Sequence, residues 1–220
     1  MRKTNLFLAA VVFLAIIFLF SFGKQCQAGD SPYNKALNHF GLMERDGVFA
    51  PAIYIGNGYV MVPKIFVWND EKGMFIKPTF IYTDQKDVNP KRIADYEGIV
   101  MYLTTIKTPF SETIFMHPEE NGQDVYFVTL DLEQDGPRLN FSAPVLSAKI
   151  SQVKSNTFLI DQAFHGGYVG TGVFDKKGRL LGIASGNLFS WVTNEIYLPA
   201  YGTAISAKVF EHFRVASQSK

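Results

Sequence analysis

The sequence has little cysteine and almost no net charge, and both absences exclude classes of protein. The only cysteine, Cys26, rules out an intrachain disulfide and a cysteine-based metal cluster. The 21 lysine and arginine residues nearly cancel the 20 acidic residues, and no long basic run occurs, so the sequence does not predict nucleic-acid binding. No cluster of metal ligands occurs in the sequence, and we expect neither a metal nor a cofactor.

The N-terminus has the pattern of a secretory leader. Arg2 and Lys3 precede an uncharged apolar run at residues 6–22, and small residues then lead to Ala28. We expect residues 1–28 to be a signal peptide cleaved after Ala28. The alternative is an uncleaved anchor attached to the inner membrane through residues 6–22, a run at the short limit of a membrane span. Either reading places the domain outside the cytoplasm, in the periplasm or the extracellular space.

The rest of the chain is rich in strand-forming residues, with 20 phenylalanines and 10 tyrosines. Runs of five to ten residues such as GYVMVPKIFV, EGIVMYLTTI, DVYFVTLDL and EIYLPAYGTAIS are bounded by glycine turns or proline. Many short strands without a helical repeat predict an all-β sandwich or barrel. We expect a lead-in helix or arm at 29–49 and a single β domain at 50–220. One helix is predicted after Ser206, with Val209 and Phe210 on its apolar face.

The most informative segment runs from Leu159 to Ile183 and reads LIDQAFHGGYVGTGVFDKKGRLLGI. It resembles the nucleophile segment of trypsin-type serine proteases, especially their bacterial HtrA branch. The positions that match without a gap are Asp161, Ala163, Gly167, Gly170, Gly178, Gly182 and Ile183. The resemblance implies a chymotrypsin-like double β-barrel with a C-terminal helix. The final segment AYGTAISAKVFEHF is similar to the last strand and helix of the HtrA protease domain.

The same resemblance implies that the catalytic triad is missing. The serine position falls on Val169, which has no hydroxyl, and the histidine position falls on Phe66, after the strand with Gly-Asn-Gly. No histidine occurs between His39 and His117. Glu97, or alternatively Asp95, occupies the place of the orienting carboxylate. A carboxylate without its imidazole has no catalytic task, so no catalytic residue is predicted.

An alternative alignment keeps a peptidase. Thr171 is the only hydroxyl close to the nucleophile position, and His165 is the only imidazole near it in sequence. A shifted register would make Thr171 the nucleophile and His165 its base. The two other histidines in this half, His117 and His212, are expected on the surface.

A substrate groove can persist after its triad is lost. Gly167 and the backbone N–H of Val169 would still outline an oxyanion hole, and the strand at 183–186 occupies the place where the family pairs an extended substrate. The predicted groove consists of Gly167, Tyr168, Val169, Ile183, Ala184, Ser185 and Gly186. We therefore expect a pseudoprotease that binds a protein or an extended peptide. The alternatives are a working endopeptidase and an unrelated secreted β-sandwich binding protein.

Overall fold

The computed structural model describes residues 31–96, 98–110, 112–135, 138–164, 168–191 and 197–210. Within these ranges, the helical elements with defined bounds are two short α-helices, α1 (Pro32–Leu37) and α2 (Lys64–Val67), and a 3-10 helix, η1 (Ala207–Phe210). None of the helices in these ranges is long and apolar enough to cross a membrane. The apolar run at 6–22, and with it the predicted leader, lies outside the described residues.

The first half of the chain forms a seven-stranded antiparallel sheet that curls into a half-barrel. Its strands are β1 (Phe40–Arg45), β2 (Val48–Gly56), β3 (Tyr59–Pro63), β6 (Thr79–Tyr82), β7 (Gln85–Asp87), β8 (Lys91–Tyr96) and β9 (Ile99–Leu103), and a small hairpin of β4 (Trp68–Asn69) and β5 (Met74–Phe75) follows α2. The strand order in the sheet is β7-β6-β1-β2-β3-β9-β8. Strand β3 therefore lies near the middle, so the segment that follows it is held by neighbours on both sides.

The second half forms a closed six-stranded antiparallel barrel in the order β10-β13-β14-β17-β16-β15. Its strands are β10 (Asp124–Val128), β13 (Val145–Val153), β14 (Thr157–Ile160), β15 (Gly172–Phe174), β16 (Leu180–Trp191) and β17 (Tyr197–Ser206), and a separate hairpin of β11 (Asp131–Asp135) and β12 (Arg138–Ser142) lies between β10 and β13. Residues 104–123, here called the inter-barrel linker, connect the two halves. The predicted double β-barrel is confirmed.

Each half has its own apolar interior, and a third cluster joins them. The first interior is built around Tyr54 and Phe80, and the second around Phe127 and Phe158. The cluster between the halves includes Met61 from β3, Phe174 from β15 and Ile183 from β16. Burial of these side chains away from water is the main force that holds the two halves together.

Both ends of the described domain contribute to this joining cluster. Helix α1 begins with Ser31 as its N-cap, whose hydroxyl accepts a hydrogen bond from the Asn34 N–H at 3.3 Å, and it buries Ala36 between the halves. Within the predicted lead-in at 29–49, α1 is thus a helix, whereas β1 and the start of β2 belong to the first sheet. Beyond β17, Val209 and Phe210 are buried as predicted, but the described residues end with the 3-10 turn, and the remainder of the predicted C-terminal helix lies outside them.

Candidate functional site

The segment at the expected histidine position is a single helical turn. Strand β3 ends at Pro63, and α2 follows at once, although the apolar run to Val67 had favoured a continuous strand. That expectation was wrong because tertiary hydrogen bonds hold the turn at both ends. The Lys64 N–H donates to the carbonyl of Gly98 at 2.7 Å, and the Arg45 guanidinium donates to the carbonyl of Phe66 at 2.7 Å. These bonds place the half-buried Phe66 ring at the edge of the first half.

The segment at the expected serine position is a tight turn. The Thr171 N–H donates to the carbonyl of Tyr168 at 3.0 Å, and Gly170 has a φ of +91°. A β-carbon at Gly170 would lie 2.7 Å from two ring carbons of Pro63 and 3.4 Å from Cε2 of Phe66. Only glycine fits this space without displacing a neighbour. The structure therefore brings the Phe66 position against the turn that carries Val169.

The third expected position is that of the orienting carboxylate, for which the sequence offers Glu97 or Asp95. Glu97 lies outside the described residues. Asp95 is described, and its Oδ2 lies 2.7 Å from Nζ of Lys64 in an ion pair beside α2. The nearby carboxylate thus pairs with a lysine two residues from Phe66.

Phe66 and Val169 themselves carry no group for acid–base or nucleophilic chemistry. A phenyl ring cannot accept a proton, and an isopropyl group cannot attack a carbonyl. Within the described part of the chain, no group of three or more His, Cys, Asp or Glu side chains could hold a metal ion.

Thr171, the alternative nucleophile, faces away from this cleft. Its side chain is 1% exposed, and its hydroxyl donates a hydrogen bond to the carbonyl of Val128 on β10. The bond fixes the hydroxyl inside the second barrel as a structural donor. His165, its proposed base, and Gly167, the proposed oxyanion-hole residue, lie outside the described residues.

Tyr168 also points into the second barrel. Its ring stacks on Phe164 with centroids 5.4 Å apart and lies 5.7 Å from Phe127. Burial raises the pKa of its phenol. Tyr168 therefore fills the space behind the turn and does not form the groove floor that we had expected, whereas Val169 is half-exposed on the outer side.

The predicted binding strand is only partly available. Ile183 and Ala184 are each 1% exposed. The Ala184 N–H donates to the carbonyl of Thr171 at 2.9 Å, and its carbonyl accepts from the Gly170 N–H at 2.8 Å. Both backbone groups of Ala184 are therefore already hydrogen-bonded within the domain. Ile183 and Ala184 are buried and do not form a surface to which a ligand strand could pair.

The open edge of β16 begins one residue later. Ser185 is exposed, and its hydroxyl lies 3.1 Å from the carbonyl of Thr203. From Gly186 to Trp191 the strand pairs with β17, and no other described strand covers its second edge. Of the residues predicted at 183–186, only Ser185 and Gly186 therefore lie where no other described strand covers the second edge of β16.

Sequence reasoning missed two histidines that tie the inter-barrel linker to the rest of the domain. His39 is buried at the junction of the two halves. His117, expected on the surface, is half-buried, and its Nδ1 lies 2.8 Å from the hydroxyl of the buried Ser206. Neither histidine belongs to a motif, so only their contacts in the folded chain could identify them.

Comparison with known proteins agrees with this geometry. No family model matches the chain, and no curated relative does. Solved structures do match. The Rv3671c protease from M. tuberculosis in its active form superposes with a TM-score of 0.58 at 16% identity, over 83% of this chain and 82% of that one. A Glu endopeptidase superposes with a TM-score of 0.62 at 10% identity, over 84% and 92%.

The HtrA-type protease AlgW, solved with a tripeptide, superposes with a TM-score of 0.60 at 14% identity, over 83% of this chain and 62% of AlgW. The chain has the chymotrypsin-like double β-barrel fold. At these identities the likeness establishes the fold, and it extends over both halves. The elements that meet at Phe66 and Val169 are thus set in a fold that is used by trypsin-like proteases.

Proposed function

We propose that this chain is a non-hydrolytic trypsin-like domain that acts outside the cytoplasm and binds an extended segment of a partner protein. The observation that carries the proposal is the contact between Phe66 and the Val169–Gly170 turn. These are the positions that the resemblance assigns to base and nucleophile, and two apolar side chains now stand there.

The open edge of β16 supports a binding role. From Gly186 to Trp191 no other described strand pairs with the second edge of β16, and an incoming strand could pair with backbone groups there, which is how many domains capture extended peptides. Val169 and Phe66 lie beside the start of this edge and are both half-exposed. Apolar contacts there favour a partner segment with a hydrophobic anchor side chain over one with a charged side chain.

The placement outside the cytoplasm follows from the leader pattern at residues 1–28. A secreted or membrane-attached domain of this type would meet its partner in the periplasm or at the outer face of the membrane. The proposed partner is a protein and not a nucleic acid, since the chain carries a net charge of only +1.

The hydrolytic alternative is tested directly with the full-length protein. A fluorophosphonate probe labels only an activated hydroxyl, and casein turnover reports endopeptidase activity. We expect neither labelling nor turnover. Turnover that is lost in Thr171→Ala and retained in Thr171→Ser would establish the threonine peptidase and overturn the proposal.

The binding role is tested by partner capture from envelope extracts with matched variants. Ser185→Pro places a residue with a fixed φ and no N–H where the open edge begins, and Val169→Asp places a charge at an apolar position beside it. Both should weaken capture of the same partner. Val88→Asp is the control, because Val88 is 52% exposed and follows β7, at the far edge of the first sheet. Capture that is lost in the control and kept in the other two variants would place the partner on another face.

A further inference from the structure

His39 occupies the point where three parts of the domain meet. It follows α1 and precedes β1, and its side chain is 8% exposed. Its ring lies between Phe110 of the inter-barrel linker, with centroids 4.3 Å apart, and Phe174 of β15, with centroids 4.7 Å apart. One imidazole is therefore in contact with the linker and with the second barrel at once.

Hydrogen bonds attach the same ring to the first half and to the linker. Nδ1 of His39 lies 2.9 Å from the carbonyl of Tyr54 on β2 and 3.2 Å from the hydroxyl of Thr113. A carbonyl only accepts hydrogen bonds, so Nδ1 carries the proton and the neutral ring keeps Nε2 unprotonated. The backbone strengthens the junction, since the Thr113 N–H donates to the carbonyl of Ile55 at 3.0 Å.

The surroundings of His39 do not tolerate a charge. Four groups contact its ring. They are the carbonyl of Tyr54 on β2, the Phe110 ring and the Thr113 hydroxyl of the linker, and the Phe174 ring of β15. Tyr54 is the only titratable residue among them, and burial raises the pKa of its phenol, so it stays neutral. None of these described groups is an acid that could stabilise an imidazolium. Burial accordingly lowers the pKa of His39 from 6.5 to about 4.

We propose that His39 is an acid-sensitive latch that holds the two halves together through the inter-barrel linker. Protonation at Nε2 would place an unpaired charge between two phenyl rings, and the ring would leave its site for water. The linker residues Phe110 and Thr113 would then lose their partner. Because Phe66 comes from the first half and Val169 from the second, loosening this junction would also separate the two sides of the cleft.

The direction and size of the effect follow from linkage. In the opened state His39 regains its ordinary pKa of 6.5, whereas in the closed state the pKa is about 4. The latch is therefore fully stable above pH 6.5 and weakens as the pH falls toward 4. The ratio of closed to open molecules should fall by up to about tenfold for each pH unit and by about 80-fold between pH 6.5 and 4, with a limit of about 300-fold at lower pH.

Hydrogen exchange of the full-length protein between pH 7 and 4.5, corrected for intrinsic rates, measures the opening. Protection of peptides that contain Tyr54 and Thr113 should fall about 40-fold in the wild type from pH 6.5 to 4.5. Peptides of the β13–β14 pair should keep their protection. In His39→Asn, whose amide can replace the Nδ1 donor but does not titrate, protection at the junction should be independent of pH in this window. His117→Asn is the matched control and should keep the wild-type response.

Two results would overturn the latch. One is a loss of protection at low pH in His39→Asn that equals the loss in the wild type. The pH dependence would then come from carboxylates and not from His39. The other is a uniform loss of protection over both halves, which would mean global unfolding. If His39→Asn does not fold, an NMR titration of the wild-type ring decides the question, because a midpoint above pH 6 contradicts a buried neutral latch.

Discussion

Replacing Gly170 by alanine tests whether the two sides of the candidate site really meet. At a φ of +91° an alanine costs about 1–2 kcal/mol of stability, because its β-carbon crowds the backbone. The same β-carbon would lie 2.7 Å from Cγ and Cδ of Pro63, well inside the usual carbon–carbon contact distance of about 3.5–4.0 Å. Overpacking of this kind costs about 1–3 kcal/mol. We expect Gly170→Ala to destabilise the protein by about 2–5 kcal/mol in total.

Gly47→Ala provides a control that separates the two costs. Gly47 has a φ of +81° and no atom within 4 Å of its hypothetical β-carbon. The free energy of unfolding of Gly47→Ala should therefore fall only by the backbone cost, about 1–2 kcal/mol. The measurement is urea unfolding followed by circular dichroism, in which the free energy of unfolding falls linearly with denaturant.

A double-mutant cycle then locates the clash. Pro63→Ala removes the two ring carbons that the new β-carbon would meet, so Gly170→Ala should cost about 1–3 kcal/mol less in the Pro63→Ala background. Equal losses in Gly170→Ala and Gly47→Ala, without coupling to Pro63, would refute the reasoning. The nucleophile-position turn would then not lie against the segment that carries Phe66.

Three further outcomes are expected. Thr171→Val should destabilise the protein by about 1–3 kcal/mol, because the buried carbonyl of Val128 loses its hydroxyl donor, while Thr171→Ser should keep most of the stability in the same urea assay. Tyr54→Phe should stabilise it by about 1 kcal/mol, since the buried phenol has no hydrogen-bond partner among the described residues. Intact-mass measurement of protein from cells should show processing after Ala28 and a new N-terminus at Gly29; a retained leader would mean a membrane-anchored domain.

The sequence predicted the fold because the pattern that specifies a strand is local. Runs such as 124–128 combine β-branched and aromatic residues, and turns with glycine or proline separate many of the runs, so strand existence can be read without knowing the partners. The segment 159–183 added the family resemblance, and the double β-barrel was confirmed. Helix α2 was not predicted, because the interactions that hold it are not local. Its residues favour a strand, and hydrogen bonds to Gly98 and from Arg45, both distant in sequence, hold the helical turn.

The alignment named the residues of the candidate site, but it did not predict their exposure. The alignment named Phe66 and Val169, and the fold places their segments in contact. The alignment could not reveal that the side chains of Thr171 and Tyr168 point into the second barrel. Side-chain direction in a tight turn depends on which barrel strand lies behind the turn. The bonds between Ala184 and the neighbouring turn, which close the first part of the groove, are likewise tertiary.

The sequence by itself determined the strand-rich composition, the leader pattern and the two residues, Phe66 and Val169, that stand where the resemblance would place a base and a nucleophile. These properties belong to single residues or short runs, and folding does not alter them. Tertiary structure alone decided that the open edge starts at Ser185 and that His39 joins the two halves. Both depend on contacts between residues far apart in the chain, and burial and hydrogen-bond pairing at such contacts are set only when the two halves pack together.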